Sequence, residues 1–192
     1  AINKLLAETG IDASEIEMLI CATSNPDYRF PSTASVMIHE SGLKNAYGYD
    51  VQAACAGFIV AAQAARAYVM SGLYKKVLVV CTEKMSSMTD YTDRATCPLF
   101  GDAATAVLIE PTEENVGIMD GEFHVDGSGL PNLVYKAGGS ACPASHETID
   151  ARQHYIYQEG RAVYRHAVSN MLSSTLSVMK RNDLTIEDID WL

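Results

Sequence analysis

One cysteine of this sequence occupies a position from which its sulfur could act as a nucleophile. Cys55 follows a strand-like stretch at residues 47–52 and precedes an alanine-rich helical run at residues 57–67. The unpaired N–H groups and the dipole of a helix N-terminus favour the thiolate, which is the reactive form. Small residues on either side leave room for a tight turn and a substrate, and a backbone N–H there can donate to an oxyanion. From these features alone, Cys55 is either a nucleophile or an inert core cysteine.

The composition limits the classes of protein to consider. With 192 residues, of which 48% are hydrophobic and 20% charged, the chain can bury a sizeable core. Its net charge of −10 argues against a nucleic-acid binder, and no stretch approaches the roughly 20 apolar residues of a membrane span. The five cysteines are odd in number and lack the spacing of a zinc site. We therefore expect no metal, no nucleic acid and no membrane, and a cytoplasmic location.

Hydrophobic periodicity predicts strands that alternate with helices. Helices are expected at residues 1–9, 32–41, 55–71 and 158–180, and strands at residues 18–23, 47–52, 76–82, 103–110 and 116–125. Residues 127–154 are rich in Gly, Pro and Ser without a period, which predicts a long surface excursion. This alternation implies an α/β fold whose sheet is covered by helices on both faces.

An internal similarity connects the two ends of the chain. Residues 11–19 align with residues 184–192 at a constant offset of 173, and each copy follows a helical segment. Both carry a capping-box pattern, Asp12 with Glu15 and Thr185 with Asp188. Either the two units share only their capping chemistry, or the chain contains a duplication. Both ends of the chain also read as cut, so we expect a fragment.

The segment around the cysteine resembles the active-site segment of β-ketoacyl-acyl-carrier-protein synthase III, the condensing enzyme that starts type II fatty acid synthesis. This segment reads Ala53-Ala54-Cys55-Ala56-Gly57-Phe58. Further segments resemble the same family in the same order: Phe30-Pro31-Ser32-Thr33-Ala34, Asp90-Tyr91-Thr92-Asp93-Arg94-Ala95-Thr96, Leu99-Phe100-Gly101-Asp102, Asp126-Gly127, Gly160-Arg161-Ala162-Val163-Tyr164 and Asp188-Ile189-Asp190-Trp191. The resemblance covers essentially the whole chain.

The resemblance implies both a fold and a reaction. The implied fold is an incomplete thiolase-like α/β/α/β/α arrangement of two similar halves. Residues 1–116 would form most of the first half, without its first strand, and residues 117–192 the beginning of the second. Cys55 would attack an acyl-coenzyme A primer, with acetyl-coenzyme A expected, and malonyl-acyl-carrier protein would then lose carbon dioxide and take the acyl group. The family implies a homodimer and no cofactor, since the coenzyme A thioester is a substrate.

The resemblance also assigns residues to substrate binding. Arg94 matches the arginine beside the adenine and phosphates of coenzyme A, although a solvated loop arginine is the plainer interpretation. Phe30 matches a residue that crosses the dimer interface and lines the partner's acyl pocket. Met85 and Phe100 match other positions around that pocket, and without the family match all three are core apolar residues.

A basic patch for the carrier protein is also implied. Arg165 matches a basic position that faces acyl carrier protein, and Arg161 could extend this local positive surface. Either arginine could instead be ordinary solvated surface. The family's catalytic His and Asn have no counterpart among these residues, so we expect that this chain by itself does not complete the condensation. Two alternatives remain at this point: another thiolase-fold acyltransferase of secondary metabolism, or a non-catalytic dimerising fragment.

Overall fold

The computed structural model describes all 192 residues, which form two compact units. The first unit comprises Ala1–Met85 and Gly101–Met119, and the second comprises Ser86–Phe100 and Asp120–Leu192. None of the helices combines the length and the apolar character that a membrane crossing requires.

The first unit is a mixed sheet with helical connections. Its elements are α1 (Ile2–Thr9), β1 (Met18–Ala22), α2 (Thr33–Glu40), β2 (Tyr47–Val51), α3 (Gly57–Met70), β3 (Val77–Lys84) and β4 (Asp102–Ile109). The strand order is β2-β1-β3-β4. The central strand β1 pairs in parallel with β2 and β3, whereas β4 runs antiparallel to β3. Helix α2 connects β1 to β2 and helix α3 connects β2 to β3, as parallel pairing requires a crossover.

The strand β1 is apolar on both faces because both faces are covered. Leu19 and Cys21 belong to a buried cluster with residues of α1 and α2, whereas Met18 and Ile20 belong to a second cluster with α3. All four side chains are fully buried. Burial of each aliphatic side chain of this size stabilises the fold by about 1.5–3 kcal/mol. The prediction of a sheet covered by helices on both faces is confirmed for this unit.

The second unit contains one long helix and a short hairpin. Its elements are β5 (Leu133–Tyr135), α4 (His146–Asp150), β6 (Ile156–Gln158) and α5 (Gly160–Arg181). The strands β5 and β6 pair antiparallel. Near the end of α5, the Arg181 guanidinium lies 2.8 Å from Asp120 Oδ2 and 2.9 Å from Glu122 Oε2. These ion pairs attach residues 120–122 to the helix.

One prediction from periodicity was wrong. Residues 116–125 form no strand, because their backbone has no neighbouring strand to pair with. The carbonyl oxygens of Ile118 and Met119 instead accept hydrogen bonds from the Arg66 side chain, at 2.7 and 2.8 Å. Most of residues 127–154 are exposed, as a surface excursion requires. They also contain short regular elements, because Asp126 and Ser145 cap a 3₁₀ helix and α4 with their side chains.

The two aligned segments fold alike. Each forms a 3₁₀ helix, at Ala13–Glu15 and at Ile186–Asp188, and each follows the end of a longer helix. The Asp12 N–H donates to Glu15 at 3.0 Å, and the Thr185 N–H donates to Asp188 at 2.8 Å. The capping-box prediction is therefore confirmed in both copies. The duplication of whole halves, with boundaries at 1–116 and 117–192, stays a prediction.

Candidate active site

Cys55 lies between the carboxyl end of β2 and the start of α3. The strand ends at Val51, a 3₁₀ turn at Ala54–Ala56 carries the cysteine, and α3 begins at Gly57. Ligands of sheets of this kind bind outside the carboxyl ends of the parallel strands. All five cysteines are free thiols, and Cys55 is the exposed one among them. Burial raises the pKa of the Cys21 thiol to about 12, which leaves that thiol inert.

The turn that carries the cysteine is tight and strained. Ala54 has a φ of 46°, in the left-handed region that residues with a Cβ seldom adopt. The Ala56 N–H closes the turn on the Ala53 carbonyl at 3.0 Å. A Cβ on Gly57 would lie 3.0 Å from the Ala22 Cβ, so glycine allows the helix to start close against β1. The turn predicted from small residues is present, and strain of this type is concentrated at functional sites.

No side chain occupies the backbone N–H groups at the N-terminus of α3. No side chain caps this helix, and its N-cap residue is Ala56. The first N–H groups of a helix have no partner within the helix and carry partial positive charge. N–H groups at a helix start are suited to stabilising an anion. One short segment therefore holds both an exposed thiol and the N–H groups at the start of a helix.

Phe30 projects from an anchored loop between β1 and α2. Its side chain is 89% exposed. The loop ends at the start of α2, where the Asp50 carboxylate accepts hydrogen bonds from the N–H groups of Thr33 and Ala34, both at 2.7 Å. Ser32 caps the same helix through its hydroxyl. A large aromatic side chain is thus held toward solvent by a fixed loop, as a contact with another chain would require.

Met85 follows the strand β3 and is partly buried in a 3₁₀ turn at Met85–Ser87. Because β1, β2 and β3 are parallel, their carboxyl ends lie at one edge of the sheet. The segments with Phe30, Cys55 and Met85 all follow this edge. The topology therefore gathers three of the predicted site residues at one end of the first unit.

Arg94 belongs to the second unit, in the loop Ser86–Phe100. It is exposed, and Phe100 at the end of the loop is partly buried. Two aspartates that precede the arginine, Asp90 and Asp93, shape the loop. Asp90 accepts from the N–H and the hydroxyl of Thr92, at 2.9 and 2.7 Å. Asp93 accepts from the Ala95 N–H at 3.0 Å and from the Thr96 hydroxyl at 2.7 Å. These aspartate turns were not predicted from the sequence. Their usual signal is an aspartate whose side chain can accept from the backbone N–H two residues later.

Arg161 and Arg165 lie in the first two turns of α5, and both are exposed. The Arg165 Nε donates to the Arg161 carbonyl at 3.4 Å. Residues four apart share one face of a helix, so the two guanidinium groups form a local basic patch on an acidic protein. Like Arg94 and Phe100, both arginines belong to the second unit, whereas Cys55, Phe30 and Met85 belong to the first.

A sheet of this topology with an exposed cysteine at the start of α3 has the architecture of a thiolase-fold protein. A family model described as 3-oxoacyl-[acyl-carrier-protein (ACP)] synthase III matches residues 49–127. A β-ketoacyl-[acyl-carrier-protein] synthase III of Porphyromonas gingivalis is 53% identical over 192 residues, which cover 100% of this chain and 57% of that relative.

Solved structures show the same likeness. A crystal structure of 3-oxoacyl-(acyl-carrier-protein) synthase III matches with a TM-score of 0.93 and 26% identity, over 99% of this chain and 60% of that chain. The Thermus thermophilus β-ketoacyl-[acyl carrier protein] synthase III matches with a TM-score of 0.85 and 34% identity, over 98% of this chain and 57% of that chain. The chain is therefore similar to synthases III over nearly its whole length, and the predicted thiolase-like α/β fold class is confirmed. It spans 57% of the length of the curated relative.

Proposed function

We propose that this protein is an acyltransferase that initiates fatty acid synthesis by joining an acyl-coenzyme A primer to malonyl-acyl-carrier protein. One observation carries the proposal: an exposed cysteine lies in a strained turn just before the uncapped start of α3, in a chain similar to synthases III over its whole length. Acetyl-coenzyme A is the proposed primer. The thioester is a substrate, and the reaction needs no other cofactor.

In the first half-reaction, the Cys55 thiolate attacks the thioester carbonyl of the primer. A new carbon–sulfur bond forms, and the bond to coenzyme A breaks with its electron pair leaving on the coenzyme A sulfur. N–H groups at the start of α3 stabilise the tetrahedral oxyanion between these two events. Thiolates suit this exchange because they are good nucleophiles and good leaving groups.

In the second half-reaction, malonyl-acyl-carrier protein loses carbon dioxide to give an enolate. The enolate carbon attacks the carbonyl of acyl-Cys55, a carbon–carbon bond forms, and the Cys55 thiolate leaves. The residues described here supply the acyl acceptor for this step. The catalytic His and Asn of the family have no counterpart among them, so the proposal for the complete reaction applies to the complete gene product.

The remaining site residues follow from this proposal. Arg94 binds the adenine and phosphates of coenzyme A, and Met85 and Phe100 border the acyl group. Phe30 reaches the acyl pocket of a second copy in a homodimer, which its 89% exposure on an anchored loop supports. The patch of Arg161 and Arg165 binds the acidic carrier protein. A cytoplasmic location is part of the same proposal.

Acyl transfer to a single cysteine tests the proposal directly. The complete gene product is incubated with acetyl-coenzyme A, and peptide mass spectrometry locates the acetyl group. We expect acetylation on Cys55 and none in Cys55→Ala. Cys97→Ala is the matched control, because it removes another thiol and should leave acetylation intact. An unmodified Cys55, with condensation persisting in Cys55→Ala, would refute the proposal.

A further inference from the structure

The loop Ser86–Phe100 presents Arg94 through its backbone. Arg94 is exposed, and no hydrogen bond or ion pair holds its guanidinium. Its position therefore depends on the turns around it. The Asp93 N–H donates to the Asp90 carbonyl at 3.0 Å, and the Cys97 N–H donates to the Asp93 carbonyl at 3.0 Å. These local bonds shape the loop, but they do not attach it to the rest of the unit.

At the start of the loop, the Met88 carbonyl accepts a hydrogen bond from the Ile156 N–H at 2.9 Å. Closer to Arg94, the side chain of Arg152 attaches the loop to the rest of the unit. Its Nη2 lies 2.6 Å from Asp90 Oδ1, and its Nε donates to Asp90 Oδ2 at 3.2 Å. The same Nη2 donates to the Thr92 hydroxyl at 3.2 Å. This two-point pairing needs the planar fork of an arginine, which a lysine lacks. The Asp90 side chain is 16% exposed, and its pairing with Arg152 holds the pKa of that carboxyl well below its usual range.

The backbone of Arg152 is in a conformation that its residue type disfavours. Its φ is 56°, in the left-handed region that glycine adopts without cost, and its N–H closes the turn after α4 on the Ile149 carbonyl at 2.9 Å. Its guanidinium carbon also lies 4.9 Å from the centre of the Tyr155 ring. Turn geometry alone would favour glycine here, so the arginine is explained by its side-chain contacts with the loop.

We propose that Arg152 is a positioning residue for Arg94: its two-point contact with Asp90 attaches the Arg94 loop in the conformation that presents Arg94 to the nucleotide part of coenzyme A. The inference rests on the proposed function, in which Arg94 contacts coenzyme A. Arg152 acts through the loop and does not touch the ligand. Without the Arg152 side chain, Arg94 is still present but less well positioned. Binding of coenzyme A therefore weakens, while the chemistry at Cys55 does not change.

Arg152→Gly separates positioning from folding. The substitution removes the fork, yet glycine relaxes the left-handed backbone, so the melting temperature should stay the same or rise. We expect the Kd for coenzyme A to rise about tenfold, within the range of coupling between contacting residues. In acylation by acetyl-coenzyme A, KM should rise and kcat at saturation should be unchanged. Arg152→Lys keeps the charge without the fork and should also weaken binding.

Asp183→Gly is the matched control. Asp183 has a φ of 55° at the end of α5, so the exchange makes the same backbone change elsewhere. It should leave the Kd for coenzyme A unchanged. Hydrogen exchange gives a readout without ligand: amides of residues 86–100 should exchange faster in Arg152→Gly and not in Asp183→Gly. Unchanged exchange in the loop of Arg152→Gly would overturn the inference.

A double-mutant cycle tests the route through Arg94. If Arg152 acts only by positioning, Arg94→Ala combined with Arg152→Gly should bind coenzyme A no more weakly than Arg94→Ala alone. If the double substitution instead raises the Kd for coenzyme A by the product of the two single effects, the inference is overturned. If Arg94→Ala weakens binding and Arg152→Gly does not, the inference is wrong and the proposed function stands. If the unmodified protein fails to bind coenzyme A, the proposed function is refuted and the inference is refuted with it.

Discussion

The N-terminus of α2 depends on one carboxylate, so replacement of Asp50 should destabilise the first unit strongly. The first N–H groups of a helix have no partner inside it. Here the N–H groups of Thr33 and Ala34 both donate to Asp50 at 2.7 Å, and the next N–H, of Ser35, donates to the Ser32 hydroxyl at 3.3 Å. Thr33 is 8% exposed and Ala34 is fully buried. Water cannot easily replace the carboxylate at these buried donors.

The magnitude follows from these two bonds. A hydrogen bond to a charged group contributes about 1.5–3 kcal/mol, so Asp50→Ala, which removes two, should lower the free energy of unfolding by about 3–6 kcal/mol. Asp50→Asn keeps one acceptor oxygen and turns its amide nitrogen toward the other donor, so about half of this loss is expected, roughly 2 kcal/mol. Ser32→Ala removes only the capping hydroxyl and should cost about 1 kcal/mol.

Urea unfolding followed by circular dichroism measures these differences, with the dependence on urea compared among the variants. Hydrogen exchange should show that amides at the start of α2 lose the most protection in Asp50→Ala. From the most to the least stable variant, the expected order is Ser32→Ala, Asp50→Asn and Asp50→Ala. If Asp50→Ala were no less stable than Ser32→Ala, the carboxylate would not be the main support of this helix and the reasoning would be wrong.

Two further predictions concern packing and pH. Gly48→Ala should lower the free energy of unfolding by about 2–3 kcal/mol in urea titrations, because its Cβ would lie 2.6 Å from the Leu19 carbonyl oxygen. Gly101→Ala is the control: a Cβ there meets open space, so the free energy of unfolding should not fall. Hydrogen bonds led by that from the Ser177 hydroxyl lower the pKa of Glu122 to about 2. Because an ordinary Glu has a pKa of about 4.3, this stabilisation is present above about pH 4.3 and disappears as the pH falls through about 2. Acid unfolding of Glu122→Gln should therefore lack this loss of stability. If the acid transition were the same as in the unmodified protein, the prediction would be contradicted.

The elements of the first unit were predictable because their signals are local. The first strand was expected at residues 18–23 and occurs at Met18–Ala22, since both of its faces are apolar and both are covered. The helix ends were equally readable, because Ser32 and Asp12 cap with their own side chains. In contrast, residues 116–125 have the composition of a strand but no partner strand, and only a partner makes a strand of such a segment.

The candidate site divides along the same line between local and distant causes. The position of Cys55 follows from a few neighbouring residues: small side chains permit the left-handed Ala54, and Gly57 permits the close start of α3. Local pattern therefore pointed to Cys55 as a candidate nucleophile, and the structure makes it the exposed cysteine among the five. The support of Arg94 is of another kind, because the partners Asp90 and Arg152 are 62 residues apart and neither carries a local signal of the other. A sequence pattern can thus locate a candidate nucleophile, whereas the groups that hold a candidate binding residue in place emerge only when the fold brings distant side chains together.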